Sequence, residues 1–110
     1  MTQALLVLTN LPDLASAQAL ARSLVEQKLA ACANILPAVQ SVYRWQGALE
    51  QAEEVSVLLK TSEARYAELE AAIGALHPYA VPEIIAVPIV AGLPAYLAWV
   101  AAETKKDIQI

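Results

Sequence analysis

The chain has 110 residues, of which 58% are apolar and 16% charged, and its formal net charge is −4. This balance excludes an intrinsically disordered segment, and the lack of a run of Lys and Arg argues against nucleic acid as a partner. The one cysteine, Cys32, cannot form an intramolecular disulfide, and with His77 as the sole histidine it cannot complete a structural zinc site.

A length of 110 residues predicts a single domain spanning residues 1–110. A chain this short still leaves about a third of its surface in water, so some of its apolar residues are expected to contact another chain. The N-terminal stretch has no basic region, and its apolar run, Ala4–Leu8, is too short for a signal sequence or a membrane span. We therefore expect a cytoplasmic protein with no membrane attachment.

The first apolar run, Ala4–Thr9, predicts a buried strand. Asp13 is a good N-cap for a helix that follows and ends near Leu29. The apolar residues at helical spacing in this segment are Leu14, Ala17, Ala21, Leu24 and Val25.

The next segments predict a β-hairpin. Ala31–Trp45 has strand composition, but Pro37 cannot donate a ladder hydrogen bond, which indicates a bulge or an edge strand. Gln46 and Gly47 supply the turn, and Glu53–Thr61 forms the returning strand.

The last third of the chain predicts two helices around a strand. Ser62 caps the second helix, whose inner residues are Tyr66, Leu69, Ile73 and Leu76. Residues 83–90 form the fourth strand, where Pro88 again indicates an edge. Pro94 suits the first position of a third helix.

The resulting order predicts an α+β, ferredoxin-like βαββαβ fold, an antiparallel sheet with helices on one face, plus a C-terminal helix. A strand with one wet face alternates apolar and polar residues, but Leu5–Leu8 and Ile84–Val87 do not. Both sheet faces are therefore expected to be covered, the second one by oligomerisation.

Two blocks of the sequence, "ACANILPAVQSVYRWQG" and "HPYAVPE", resemble the CutA family of divalent-cation tolerance proteins, and the likeness extends from about Ala4 to Val100. The resemblance implies the ferredoxin-like fold and a homotrimer with long β2–β3 hairpins reaching between subunits. The trimer architecture is similar to that of the PII-type signalling proteins. The family's role is tolerance to divalent cations, copper especially, without an established reaction, so we expect a protein that is not an enzyme.

His77 is the candidate metal ligand, because neutral imidazole suits copper and zinc. The copper site associated with the family corresponds to Thr9, Leu76 and His77 here, and only His77 keeps a ligand, so weak Cu²⁺ binding is predicted. The alternative is that His77 closes the second helix by interacting with its last carbonyl groups. Pro78 and Pro82 stiffen the connector. If it is fully extended, His77 and Glu83 could be about 20 Å apart and would then not act as one chelating pair.

Four further residues are candidates for a ligand cleft: Cys32, Lys60, Tyr79 and Glu83. Three of them have a structural alternative: a small buried side chain for Cys32, a strand-end side chain for Lys60, and a solvated rim position for Glu83. Tyr79 lies in the extended connector and could point into the same groove.

The cluster Tyr43, Arg44 and Trp45 precedes the hairpin turn and predicts a trimer interface, because these residue types are enriched at interfaces. Ligand stacking is the alternative. The leading hypothesis is thus a trimeric divalent-cation tolerance protein. Its rival is a PII-like regulatory or scaffold trimer that binds a small anionic ligand between subunits, with Lys60 and Arg44 as contacts.

Overall fold

The computed structural model describes residues 3–106 and confirms the predicted order of elements. The elements are β1 (Ala4–Leu11), α1 (Leu14–Glu26), β2 (Cys32–Trp45), β3 (Ala48–Ser62), a 3₁₀ turn (Glu63–Arg65), α2 (Tyr66–Leu76), β4 (Ile84–Pro88) and α3 (Pro94–Glu103). This is the expected ferredoxin-like α+β arrangement with an added C-terminal helix. None of the helices in the described part of the chain is long and apolar enough to cross a membrane.

The four strands form one antiparallel sheet in the order β2-β3-β1-β4. The two strands that contain a proline, β2 and β4, therefore lie at the two edges, as Pro37 and Pro88 predict. The central strands β1 and β3 contain no proline and pair on both sides.

The hairpin is longer than the sequence indicates. Gln46 and Gly47 both adopt positive φ angles, of 49° and 82°, so they form a two-residue turn that pairs Trp45 directly with Ala48. Both strands consequently run up to the turn, and β3 begins five residues before the predicted Glu53. The hairpin contributes to the elongated shape of the molecule, 49 × 31 × 23 Å along its principal axes.

The helix ends agree with the sequence in two places and differ in two. The Asp13 side chain accepts a hydrogen bond from the backbone N–H of Ser16 at 2.7 Å, and Pro94 occupies the first turn of α3, both as predicted. Helix α1 ends at Glu26, before the predicted Leu29, because Lys28 is left-handed with φ 60°. The interpretation of Ser62 as a side-chain cap is wrong, since its hydroxyl accepts a hydrogen bond from Thr104 instead.

The hydrophobic core lies between one face of the sheet and helices α1 and α2. Its large buried side chains are Val7, Leu11, Leu20, Leu24, Leu29, Val55, Val57, Leu59, Leu69 and Ile73. Three residues predicted on the inner helix faces, Leu14, Val25 and Leu76, are exposed, because they lie at helix ends where the apolar stripe leaves the sheet.

The opposite face of the sheet is only partly covered. Cys32 and Ser62 belong to this face by alternation and cross-strand pairing, and they contact Tyr96 of α3 and Thr104, the residue that caps the C-terminus of α3. Helix α3 therefore packs on the face that α1 and α2 do not cover. Farther along the same face, aliphatic side chains of the edge strands stay exposed.

Candidate functional site

A cleft of about 780 Å³ lies between the β2–β3 hairpin and residues 77–83, the connector from α2 to β4. Its aromatic and polar walls include Asn10, Tyr43, Trp45, Glu54, Tyr79 and Glu83. Two of the described residues that line it are glutamates, and none is Lys, Arg or His. The cleft is therefore concave, partly aromatic and acidic.

A β-bulge in β2 places the aromatic residues of the hairpin on the cleft side. Leu36 pairs with Ser56 and Val39 pairs with Glu54, so β2 holds one residue more than β3 between these pairs. The extra residue inverts the alternation of side chains beyond it. As a result, Tyr43 shares the face of Ser56 and Glu54, and Trp45 follows it there.

The sequence allows this bulge at Pro37 and Ala38. Pro37 has no N–H to lose from the ladder, and Ala38 adopts a left-handed conformation with φ 62°. A non-glycine residue in this region carries a conformational cost, so the bulge is held by the pairs on either side of it.

Asn10, near the end of β1, connects three elements at the base of the cleft. Its side-chain amide donates to Glu83 at 3.1 Å, and its side-chain oxygen accepts from the Ser56 hydroxyl at 2.6 Å. Its backbone carbonyl accepts a hydrogen bond from His77 at 2.7 Å. Asn10 thereby fixes Glu83, whose carboxylate the sequence left open between a solvated rim and a paired position.

His77 is buried and uses both of its ring nitrogens. Nε2 must carry the proton, because its partner, the Asn10 carbonyl, can only accept. Nδ1 accepts from the backbone N–H of Tyr79 at 3.2 Å, and the two rings are 4.8 Å apart. A metal ion at His77 would have to displace one of these hydrogen bonds, so the geometry supports a structural role for this residue. The ring bonds to β1 and to the connector, however, and not to the last carbonyl groups of α2 as the alternative proposed.

Tyr79 and Glu54 form the central polar contact of the cleft. The Tyr79 hydroxyl donates to Glu54 Oε2 at 2.9 Å. Burial, followed by this hydrogen bond and the negative charge of Glu54, raises the pKa of Tyr79 to about 12. Glu54 itself is 8% exposed, which makes it one of the few buried carboxylates of the described chain.

The predicted site residues fall into two groups. Tyr43, Trp45, Tyr79 and Glu83 all line the cleft, whereas Arg44 does not. Arg44 lies between Tyr43 and Trp45 in the strand, so its side chain points to the opposite face.

Cys32 and Lys60 are cross-strand neighbours on the same face of the sheet as Glu54, but they lie at the opposite end of the β2–β3 pair and do not line the cleft. Cys32 Sγ is 3.6 Å from the Tyr96 hydroxyl, and this contact, with burial, raises the pKa of Tyr96. The Lys60 ammonium donates to the Asn34 side chain. These two residues cannot act in one site with Tyr79 and Glu83 of the same chain.

Sequence reasoning missed Asn10 and Glu54. Asn10 stands at the end of an apolar run, a position typical of a turn residue. Glu54 is adjacent to a second glutamate, Glu53, and only the register of β3 shows which of the two faces the cleft.

The comparison with known proteins agrees with this architecture. The family described as "CutA1 divalent ion tolerance protein" matches residues 5–103. The chain belongs to this family. The divalent-cation tolerance protein CutA of Thermus thermophilus is 44% identical over 98 residues, which cover 89% of this chain and 95% of that protein.

Solved structures of CutA proteins superimpose on nearly the whole chain. The CutA structure from Xylella fastidiosa has a TM-score of 0.90 and 42% identity and covers 93% of this chain and 98% of its own. The structure of the periplasmic divalent cation tolerance protein CutA from Archaeoglobus fulgidus has a TM-score of 0.89 and 35% identity, with coverage of 93% and 99%.

The potential metal-ligating side chains of this CutA chain are few and lie far apart. Within residues 3–106, no three side chains of the His, Cys, Asp and Glu types come together in a way that could hold a metal ion. Cys32 and His77 lie in different regions, and both ring nitrogens of His77 are hydrogen-bonded. One chain by itself therefore offers a poor fit to a copper ion.

Proposed function

We propose that the protein is a homotrimeric, non-enzymatic divalent-cation tolerance protein that binds Cu²⁺ weakly. Membership of the CutA family supports the tolerance role. We also propose a cytoplasmic location, because a single cysteine gives the chain no use for an oxidising compartment. Fractionation of cells with an antibody against the protein tests this location.

The observation that supports assembly of several copies is the uncovered second face of the sheet. Leu36, Ile85 and Val87 belong to this face and are 43%, 51% and 50% exposed in the single chain. Leu36 lies on one edge strand, and Ile85 and Val87 lie on the other. Exposed large aliphatic side chains on both edges of one face are consistent with a protein–protein interface. Contact between copies through this face would explain the non-alternating strands.

The charge of the cleft favours a cation over an anion. Glu54 and Glu83 line it, and Arg44 and Lys60, the anion contacts that the PII-like alternative requires, do not. A small anionic ligand would therefore meet repulsion in the part of the cleft that one chain supplies.

The proposal places Cu²⁺ binding at low affinity. His77 is the one histidine of the chain. A metal ion on Nδ1 would displace the hydrogen bond from the Tyr79 N–H, and a metal ion on Nε2 would displace the hydrogen bond to the Asn10 carbonyl. Further ligands would have to come from a second copy or from water, which lowers the affinity of such a site.

Sedimentation equilibrium at micromolar concentration tests the assembly. We expect a trimer for the wild type and dissociation for Val87→Asp, which places a charge on the second face. Val25→Asp is the matched control, because Val25 is also a partly exposed valine but lies on α1. A stable wild-type monomer would refute the trimer.

Calorimetric titration with Cu²⁺, Zn²⁺ and a nucleotide tests the ligand class. We expect weak saturable heats for the metals and none for the nucleotide. Saturable nucleotide binding in the absence of metal binding would instead favour the PII-like alternative.

A further inference from the structure

The cleft contains a buried carboxylate that has no cationic neighbour among residues 3–106 of its own chain. Glu54 is 8% exposed, and its one hydrogen-bond partner among the described residues is the neutral Tyr79 hydroxyl. Within residues 3–106, no Lys, Arg or His nitrogen lies within 4.0 Å of its carboxylate. Because buried carboxylates are normally paired with a cation, the surroundings of Glu54 are suited to a positive group.

A second carboxylate adds to this negative potential. Glu83 also lines the cleft, and Asn10, which is neutral, holds it at 3.1 Å. Both carboxylates are thus fixed in position by neutral donors that leave their charge uncompensated. Fixed acceptors recognise a cation at low entropic cost.

The walls of the cleft distinguish an organic cation from a metal ion. No three ligating side chains come together among the described residues, so the cleft lacks the coordination shell that a metal requires. Tyr43, Trp45 and Tyr79 supply aromatic rings, which attract organic cations through their π faces and pack against apolar groups.

We propose that the cleft binds an organic cation, namely an ammonium group carried on an apolar or aromatic body. The ammonium group donates hydrogen bonds to the Glu54 and Glu83 carboxylates, and the body packs against the aromatic wall formed by Tyr43 and Trp45. The cleft volume of about 780 Å³ is in the range of small-molecule sites. This inference goes beyond the proposed function and does not depend on metal binding.

Three probes that differ mainly in charge test the proposal by calorimetry on the full chain at neutral pH: 2-phenylethylammonium, 2-phenylethanol and 3-phenylpropionate. We expect saturable binding of the ammonium, binding of the alcohol that is weaker by about tenfold or more, and no binding of the carboxylate. Equal affinities for ammonium and alcohol would show an apolar pocket only and would overturn the proposal, as would a lack of binding by all three.

Glu54→Gln tests the residue assignment, because glutamine keeps the shape and an acceptor for the Tyr79 hydroxyl while removing the charge. We expect ammonium affinity to fall by about tenfold or more. The matched control is Glu53→Gln, the exposed neighbour outside the cleft lining, which should change affinity by less than about twofold. A cooperative thermal unfolding transition for Glu54→Gln, with its midpoint well above the titration temperature, confirms that the variant folds.

Two further outcomes would overturn the proposal. If Arg44 of a second copy fills the cleft, the wild type binds no ammonium and Arg44→Gln does. If Cu²⁺, titrated alone in parallel, binds the wild type but not Glu54→Gln, the cleft is a metal site. If Glu54→Gln leaves weak Cu²⁺ binding unchanged, the metal binds elsewhere and the result agrees with the proposal. The test of the organic cation is then independent of the test of metal tolerance.

Discussion

Replacing Tyr79 by Phe removes the hydroxyl that donates to Glu54 Oε2 at 2.9 Å and leaves a buried carboxylate without that partner. A hydrogen bond to a charged group contributes about 1.5–3 kcal/mol. Tyr79 is 36% exposed, so water can replace part of the lost contact, and we expect a destabilisation of about 1–2 kcal/mol. For a domain of this size, that lowers Tm by roughly 4–8 °C.

The effect should depend on pH with a definite sign. The pKa of Tyr79 is raised from 10.0 to about 12 in the folded protein, so folding favours the protonated phenol. The stabilisation from this group is therefore fully present below about pH 10 and is lost as pH rises through about 12. The difference in Tm between wild type and Tyr79→Phe should shrink over that window.

Thermal melting of both proteins from pH 8 to pH 12, at one protein concentration, measures this difference. Tyr66→Phe is the matched control, since the Tyr66 hydroxyl donates to Glu70 at 3.2 Å on an exposed helix surface and should contribute less. A Tm difference for Tyr79→Phe that stays constant up to pH 12 would refute the reasoning, because it would separate the stability effect from the ionisation of the phenol.

Three further changes test other parts of the structure. Trp45→Ala should weaken trimer assembly by about 2–4 kcal/mol if Trp45 anchors a neighbouring subunit, and unchanged sedimentation would count against that role. His77→Ala removes two partly buried hydrogen bonds and should cost about 2–3 kcal/mol in urea unfolding. A matching loss of Cu²⁺ affinity would restore the metal-ligand prediction, and unchanged affinity would leave His77 a structural residue. Ala38→Gly relieves the left-handed strain at the bulge and should stabilise by up to about 1 kcal/mol, whereas a clear destabilisation would show that φ 62° carries no strain.

The pattern of the sequence by itself determined most of the fold. Short apolar runs, Asp13 as a cap and Pro94 as a helix start are local signals, and each acts through the conformation of a few neighbouring residues. The two prolines, Pro37 and Pro88, also identified the edge strands, because a missing N–H is a property of the residue and not of its surroundings. The family blocks around Trp45 and His77 were likewise readable from the chain.

The tertiary structure alone decided which of these residues share a site. Pairing register brought Asn10 and Glu54 to the cleft, and one extra residue in β2 turned Tyr43 and Trp45 toward it while Arg44 points away. Side-chain direction along a strand inverts with a shift of one residue, so composition cannot show it. The partners of His77 lie on β1 and in the connector, up to 67 residues apart in sequence, and only folding brings them within hydrogen-bonding distance.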